Sequence, residues 1–368
     1  MADTMEYKCP ACGGSMEFDS KTQKLKCPFC STEISVEEWT AKNAEQEDQP
    51  AAAQTQSGIP WEAMGGDTGW SGSETANMAV YSCQSCGGEI VADKTTGATS
   101  CPYCGNQVVI KGQFSGDARP DYIIPFKLDK KAAKAAYKKH LTKKKFLPQI
   151  FGKENHIDEI KGLYVPFWLF DSKVYADVRY EADKVKVRTS GDTEYTERET
   201  YDLHRCGSLA FEHLPVDCSR KMDDKLMESI EPYQFQDAVP FQAAYLSGYL
   251  ADRYDVQREE AQRRAQERIK RSAEDGLKPG ITSYDTVKTI DSKVNILEAR
   301  YWYALYPVWI LNTTWRGKQY IFAMNGQTGK MVGDLPFDKG AFWKYVVSRG
   351  VGIGAVLYAL MWFFMNFM

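Results

Sequence analysis

Eight of the ten cysteines in this 368-residue chain fall in four CxxC pairs: Cys9/Cys12, Cys27/Cys30, Cys83/Cys86 and Cys101/Cys104. Each member of the first two pairs recurs 74 positions later, 9 at 83 and 30 at 104. Two CxxC knuckles separated by 14 residues have the spacing of a zinc ribbon, so the sequence predicts two ribbons, each holding one structural Zn²⁺. Zinc takes four soft thiolates in a tetrahedron at about 2.3 Å, and each CxxC turn sets two sulfurs on one side of the ion. Gly13, Gly87 and Gly105 follow second cysteines, where a residue without Cβ adopts the left-handed turn that closes the knuckle. Disulfides would need an oxidising compartment, which nothing here implies. A thioredoxin-type redox pair would sit between a strand and a helix of a much larger sheet. Cys206 and Cys218 stand away from ligand spacing and read as ordinary thiols.

The elements that position these thiols must be small. A module of roughly 30 residues cannot bury a sufficient apolar core. Metal binding then supplies the folding free energy, on the order of 10 kcal/mol. The stretch between knuckles suits a hairpin, turning at Phe18–Gln23 in the first module and at Ala92–Gly97 in the second. This places ribbon 1 at 1–40 and ribbon 2 at 79–112, joined by a linker at 41–78. The linker carries Lys42 against six carboxylates and is rich in Ala, Gln, Gly and Ser, a composition that favours disorder. Trp61 and Trp70 interrupt it, either as a docking segment or as incidental packing on a neighbouring domain.

Residues 120–337 read as a folded body of α+β class. Tyr122–Leu128 alternates like a strand, and Asp129 opens a Lys/Ala-rich helix to about Lys145. Leu163–Tyr180 and Glu197–Phe211 carry the aromatic and β-branched residues of strands. Met222–Ile230 is predicted as a short helix. Asp255–Glu274 is predicted as a long charged one with an apolar stripe at Ala261, Ala265, Ile269 and Ala273. Ala299–Val332 reads as a meander with turns at Asn325-Gly326 and Thr328-Gly329. Val165-Pro166-Phe167-Trp168-Leu169 parallels Tyr306-Pro307-Val308-Trp309-Ile310 at an offset of 141, and each copy follows a charged helix. A duplicated strand–helix–strand unit is the expected result.

The C-terminal segment 342–368 is expected to be a single-pass tail anchor in the cell membrane, with the bulk of the chain in the cytoplasm. Val351–Met368 is almost wholly apolar, and Trp343, Tyr345, Lys344 and Arg349 crowd its leading edge. Gly350 and Gly354 form a small-xxx-small face for helix packing, compatible with a homo-oligomer. Residues 127–145 carry nine Lys against Asp129. Lys130, Lys131, Lys134, Lys138 and Lys139 would either form a solvated face or bind an anionic lipid, an acidic partner or nucleic acid.

A formal charge of −3 excludes a globally basic nucleic-acid coat, and neither ribbon is basic enough to grip DNA. Phe29 and Tyr103 are expected as exposed aromatics compatible with protein recognition. The acidic, polar N-terminus lacks the pattern of a secretory signal. No HExxH, GxSxG or Walker A motif occurs, and four His leave little room for His-based catalysis. The expectation is therefore a non-enzymatic protein. His204 and His213 read as structural, and Asn325–Lys330 as a hairpin turn rather than a phosphate loop.

Several segments resemble the TFIIB-type double zinc-ribbon proteins of Firmicutes, the YdjG type. They are Cys83–Gly88 with Cys101–Asn106, Ile124–Lys131, Tyr164–Asp171, Lys221–Asp224 and Phe322–Lys330. The likeness runs from about 80 to 340 and is looser over the first ribbon and linker. It implies a membrane-anchored accessory protein working with phage-shock-protein-A-like and flotillin-like (SPFH) partners in envelope stress, with no catalytic residues. A PriA-like replication-restart helicase, the label such ribbons attract, is contradicted by the missing nucleotide-binding motifs. The expected function is a membrane-anchored zinc-ribbon scaffold recruiting cytoplasmic proteins. The alternative is a tethered nucleic-acid binder using the Lys-rich helix.

Overall fold

The computed structural model describes residues 9–14, 16–43, 62–63, 70, 78–83, 86–93, 101–103, 109–113, 118–153, 157–278 and 283–367. Trp61, Cys104 and Gly105, and the expected turn residues 94–97, lie outside them. The protein is mostly β, with a large mixed sheet and five α-helices among the described residues. This corrects the α+β expectation. The reason lies in the length of two strands, β9 (Lys161–Ser190) and β13 (Thr286–Trp315). Their outer halves are rich in charged residues, so the side chains give little sign of a strand. The ladder is made by backbone groups, which are indifferent to that polarity.

β9 pairs antiparallel with β10 (Thr193–Asp217) on one edge and with β13 on the other. β13 turns through Arg316 and Gly317, both at positive φ, into β14 (Lys318–Asn325), which pairs with β15 (Met331–Gly333).

The two Pro–Trp segments lie side by side: Val165 faces Tyr306, Pro166 faces Leu305 and Tyr164 faces Pro307. Their surroundings correspond as well. β12 (Leu250–Asp252) runs parallel to β9 at Leu163 and Tyr164. β8 (Tyr122–Ile123) runs parallel to β13 at Ala304 and Leu305, the positions 141 later. β10 joins β9 from Phe167, and β14 joins β13 from Val308, again 141 later. Each half thus lends a short strand to the long strand of the other half.

Where β9 is buried on both faces, period-2 alternation divides it between two cores. Tyr164, Trp168 and Phe170, with Tyr303, Leu305 and Trp309 of β13, face one core. Leu163, Val165, Phe167 and Leu169, with Tyr306, Val308 and Ile310, face the other.

The first face is covered by α2 (Lys130–Leu141) and α4 (Arg258–Gly276). α2 starts where the Asp129 carboxylate accepts from Ala132 N at 2.8 Å, and it buries Ala133 and Tyr137. α4 buries Ala261, Ala265, Ile269 and Ala273, the stripe read from the sequence. The second face is covered by α3 (Asp224–Ile230) through Met227 and Ile230. Arg264 joins Asp217 (2.9 Å) to Asp224 (3.0 Å), and Arg268 holds Glu231 at 2.8 Å, tying α4 to α3 and the end of β10. Burial pushes the Asp217 carboxyl up to about 6, with Arg264 opposing.

The amino-terminal cysteine module has its own sheet, β1 (Glu17–Asp19), β2 (Lys24–Lys26) and β3 (Glu33–Ile34), followed by α1 (Val36–Asn43). It lies on the first face, where Phe18 meets Tyr245 edge-on at 5.1 Å and Ser247 Oγ donates to Met16 O at 2.6 Å. The second module joins the main sheet. β6 (Glu89–Asp93) pairs with β12, and β5 (Met78–Ser82) joins β6 to β7 (Val109–Gln113). Its Cys83, Cys101 and Tyr103 face the second core. The stretch expected as a disordered linker touches the body twice among the described residues. β4 (Glu62–Ala63) pairs in parallel with β13, and Trp70 packs edge-on to Phe241 at 5.4 Å.

α5 (Lys339–Phe367) is rooted by Phe146, which contacts Phe337, Phe342 and Tyr345. Among the described residues no helix is long and apolar enough to cross a membrane. The expected tail anchor at 342–368 and the membrane localisation are therefore overturned. The first third of α5 carries Lys339, Lys344 and Arg349, and the run from Val351 to Phe367 falls short of the about 20 apolar residues of a typical span.

Candidate metal centres

The four sulfurs of Cys9, Cys12, Cys27 and Cys30 lie within 4.8 Å of one another, as do those of Cys83, Cys86 and Cys101. Cys104, expected as the fourth ligand of the second group, lies outside the described residues. Closest approaches are 3.4 Å for Cys9–Cys30, 3.4 Å for Cys12–Cys27 and 3.6 Å for Cys86–Cys101. A tetrahedron with metal–sulfur bonds of about 2.3 Å has edges of about 3.8 Å, so both groups fit a metal ion.

Three knuckles share one backbone pattern. Cys9 N donates to Gly14 O (2.7 Å) and Gly13 N to Cys9 O (2.8 Å). Cys83 N donates to Gly88 O (2.9 Å) and Gly87 N to Cys83 O (2.8 Å). Cys27 N donates to Thr32 O (2.9 Å) and Ser31 N to Cys27 O (2.9 Å). Gly13 and Gly87 have φ of 73° and 69°, the left-handed region where a Cβ is disfavoured. Ser31 takes the same turn at φ 61°, so the left-handed position after a knuckle is not confined to glycine.

The electrostatics call for a cation. Thr32 Oγ1, 3.1 Å from Cys30 Sγ, helps hold the Cys30 thiol down to about 6. At Cys12 the Gly14 backbone favours the thiolate, but Cys30 and Cys27 outweigh it and push the thiol up to about 12. Thiolates this close repel, and a divalent ion removes that conflict.

The two groups differ in cover. Cys9 and Cys27 are buried while Cys12 and Cys30 are exposed. In the second group Cys83 and Cys101 are buried and Cys86 half-buried. Lys221 Nζ donates to Cys86 O at 2.9 Å, a contact no spacing rule in the sequence reveals. Tyr103, expected to be exposed, is buried beside Asp252 and Ser219. Burial lifts its phenol well above the usual range, and the Asp252 carboxyl is pushed by burial up to about 7.

The other sequence candidates lie apart from these centres. On α2, Lys130, Lys131, Lys138 and Lys139 are exposed, and Lys134 pairs with Asp158. Partial desolvation of its ammonium, and then the charge of Lys134, lower the Lys130 pKa although the residue as a whole is exposed. At Gly350 and Gly354 an added Cβ would meet nothing within 4 Å. Asn325–Lys330 is a structural clamp: Asn325 Nδ2 donates to Ile230 O (3.1 Å), and its Oδ1 accepts from Gln327 N and Thr328 N (both 2.9 Å). His204 meets Asp177 at 2.8 Å on an exposed strand, and His213 stacks on Phe235 and Trp302.

The chain is 33% identical over 359 residues to the uncharacterized protein YdjG of Bacillus subtilis (strain 168), covering 97% of this chain and 98% of that protein. The chain belongs to the YdjG family. The aligned stretch spans nearly the whole length of both chains. No protein-family model matches the chain, and no solved structure matches it.

Proposed function

We propose that this YdjG-family chain is a double zinc-ribbon scaffold that binds other proteins. Cys9, Cys12, Cys27 and Cys30 hold one structural zinc, and Cys83, Cys86, Cys101 and Cys104 hold the other. The observation that carries the reading is the clustering of thiols in three matching knuckles on two modules, one packed on the first face of the sheet and the other joined to the sheet with its cysteines toward the second core. All-thiolate tetrahedral sites with no open position suit structural zinc, not a catalytic ion. A body braced by Asn325, Arg264 and Arg268 supplies a rigid mount for both modules. Phage-shock-protein-A-like and SPFH-type proteins, which the family resemblance implies, are the first partners to test.

The experiment has two arms. Elemental analysis of the purified chain is expected to return two zinc ions per molecule. Affinity purification is then run with the full-length chain and with a Cys12→Ser/Cys30→Ser variant, whose substitutions fall on exposed ligands. The variant is expected to keep one zinc and to lose partners held by the first ribbon. Material without bound metal, or a full-length chain that enriches no protein, overturns the proposal.

A further inference from the structure

Positions 29 and 103 are the same place in two modules 74 residues apart. In each the aromatic ring lies on the second glycine after the opposite knuckle. A Cβ at Gly14 would come 2.6 Å from Phe29, and one at Gly88 would come 3.3 Å from Tyr103. The outer faces of the rings have opposite fates. Tyr103 is 4% exposed, covered by the body, whereas Phe29 is 77% exposed. Pro10, Ala11 and Pro28 beside it are exposed too.

The body shows what a cover for such a knuckle contains. An apolar floor including Met222 belongs to the same core as Tyr103. Lys221 reaches the knuckle carbonyl of Cys86. A cation suits that place, because a zinc tetrathiolate carries two net negative charges spread over its sulfurs and knuckle amides. Cys12 is the counterpart of Cys86, and it is exposed. The first knuckle therefore offers the apolar ring and the negative centre without the cover its twin receives.

We propose that the outward knuckle of the first module is a docking surface for a separate protein that presents a lysine ammonium beside an apolar recess. Phe29 fills the recess, and the lysine caps the Cys12 carbonyl as Lys221 caps that of Cys86. Phe29 lacks the hydroxyl that Tyr103 sets beside Ser219 and Asp252, so the recess needs no buried polar partner. This inference rests on the zinc-ribbon scaffold reading and adds the surface and the chemistry of its occupant.

The test places the photo-cross-linker p-benzoyl-phenylalanine at position 29 of the full-length, metal-loaded chain in cells, and maps the captured residue by mass spectrometry. The expected adduct is on a discrete apolar segment of another protein with a lysine within a few residues. With that protein purified, changing its lysine to Gln and making Phe29→Ala are each expected to weaken binding tenfold or more. Phe29→Leu, which keeps an apolar side chain, is expected to retain most of the affinity. Cross-links confined to this chain or to a second copy of it, a captured segment without lysine, or no adduct would each sink the proposal. So would a Phe29→Ala affinity within twofold of the parent. If the full chain still binds its partner unchanged by Phe29→Ala, this surface falls and the scaffold reading stands; if the full chain binds no protein, both fall.

Discussion

The two cysteine modules are built alike and mounted differently. Both use knuckles with the same pair of backbone hydrogen bonds, and both lay an aromatic ring on a glycine. The first keeps its own three-stranded sheet and attaches to the body through side-chain contacts such as Phe18 on Tyr245. The second has surrendered its strands to the main sheet through β6 and β12, and its knuckle is capped by Lys221. One ligand set can therefore serve two purposes. In the second module a bound ion would close the edge of a core; in the first it would rigidify a surface that faces outward.

Substituting ligands tests that contrast most severely. Cys101→Ser removes a buried ligand whose module continues into the central sheet. It is expected to cost on the order of 5 kcal/mol, since losing a structural metal site removes folding free energy outright. Cys30→Ser, at an exposed ligand, is expected to release one zinc while leaving the main thermal transition nearly in place. Calorimetry with metal analysis on both variants checks this, and equal losses of stability would erase the distinction.

Phe18→Ala probes the attachment of the first module. The ring is buried in the first core, and its loss is expected to cost about 3 kcal/mol, at the low end for a buried Phe. Because this module shares no strand ladder with the main sheet and is held by side-chain packing and a few hydrogen bonds such as Phe18 N to Ser247 O (3.2 Å), the loss should appear as early protease cleavage near residues 16–43, with the long strands still protected.

Asp252 probes the seat of Tyr103. Its carboxyl is raised to about 7 in the folded protein by burial, above the roughly 3.9 of an unfolded chain. The folded state therefore binds the extra proton. The stabilising effect of that protonation is complete below about pH 4 and is lost as pH rises through 7. Asp252→Asn is expected to remove this dependence and to stabilise the protein above pH 7, by about 1.4 kcal/mol for each unit of pKa shift removed. Denaturant melts at pH 5 and pH 8 measure it, and an unchanged pH slope would dismiss the role given to burial.

The smallest effect is expected at Lys221→Gln. A charge-assisted hydrogen bond to Cys86 O is worth about 1.5–3 kcal/mol, and solvent around a half-buried lysine trims it toward the lower figure. The readout is the rate at which a chelator takes metal from each module. The second module is expected to lose its metal severalfold faster in the variant, and the first to be unaffected.

The cysteine spacing was legible because metal chemistry ties residue type to position with few alternatives. The stripe on α4 was legible because one face of a charged helix must be apolar to pack. The lengths of β9 and β13 were not. Past Asp171 in β9 and before Tyr301 in β13 the exposed faces carry charges, and only pairing with neighbouring strands holds these stretches extended. The difference between Phe29 and Tyr103 could not be read at all, because burial at those positions depends on where each module lands.

The exchange of short strands between the halves bears on how the chain is made. Tyr122 and Ile123 have their parallel partner at Ala304 and Leu305, and the Asp121 carboxylate accepts from Tyr303 N, 182 positions ahead. During synthesis the leading half must wait, with one edge of its sheet bare, until nearly all of the polypeptide has left the ribosome. A nascent chain halted before residue 300 lacks its central seam, so this molecule is finished late and all at once.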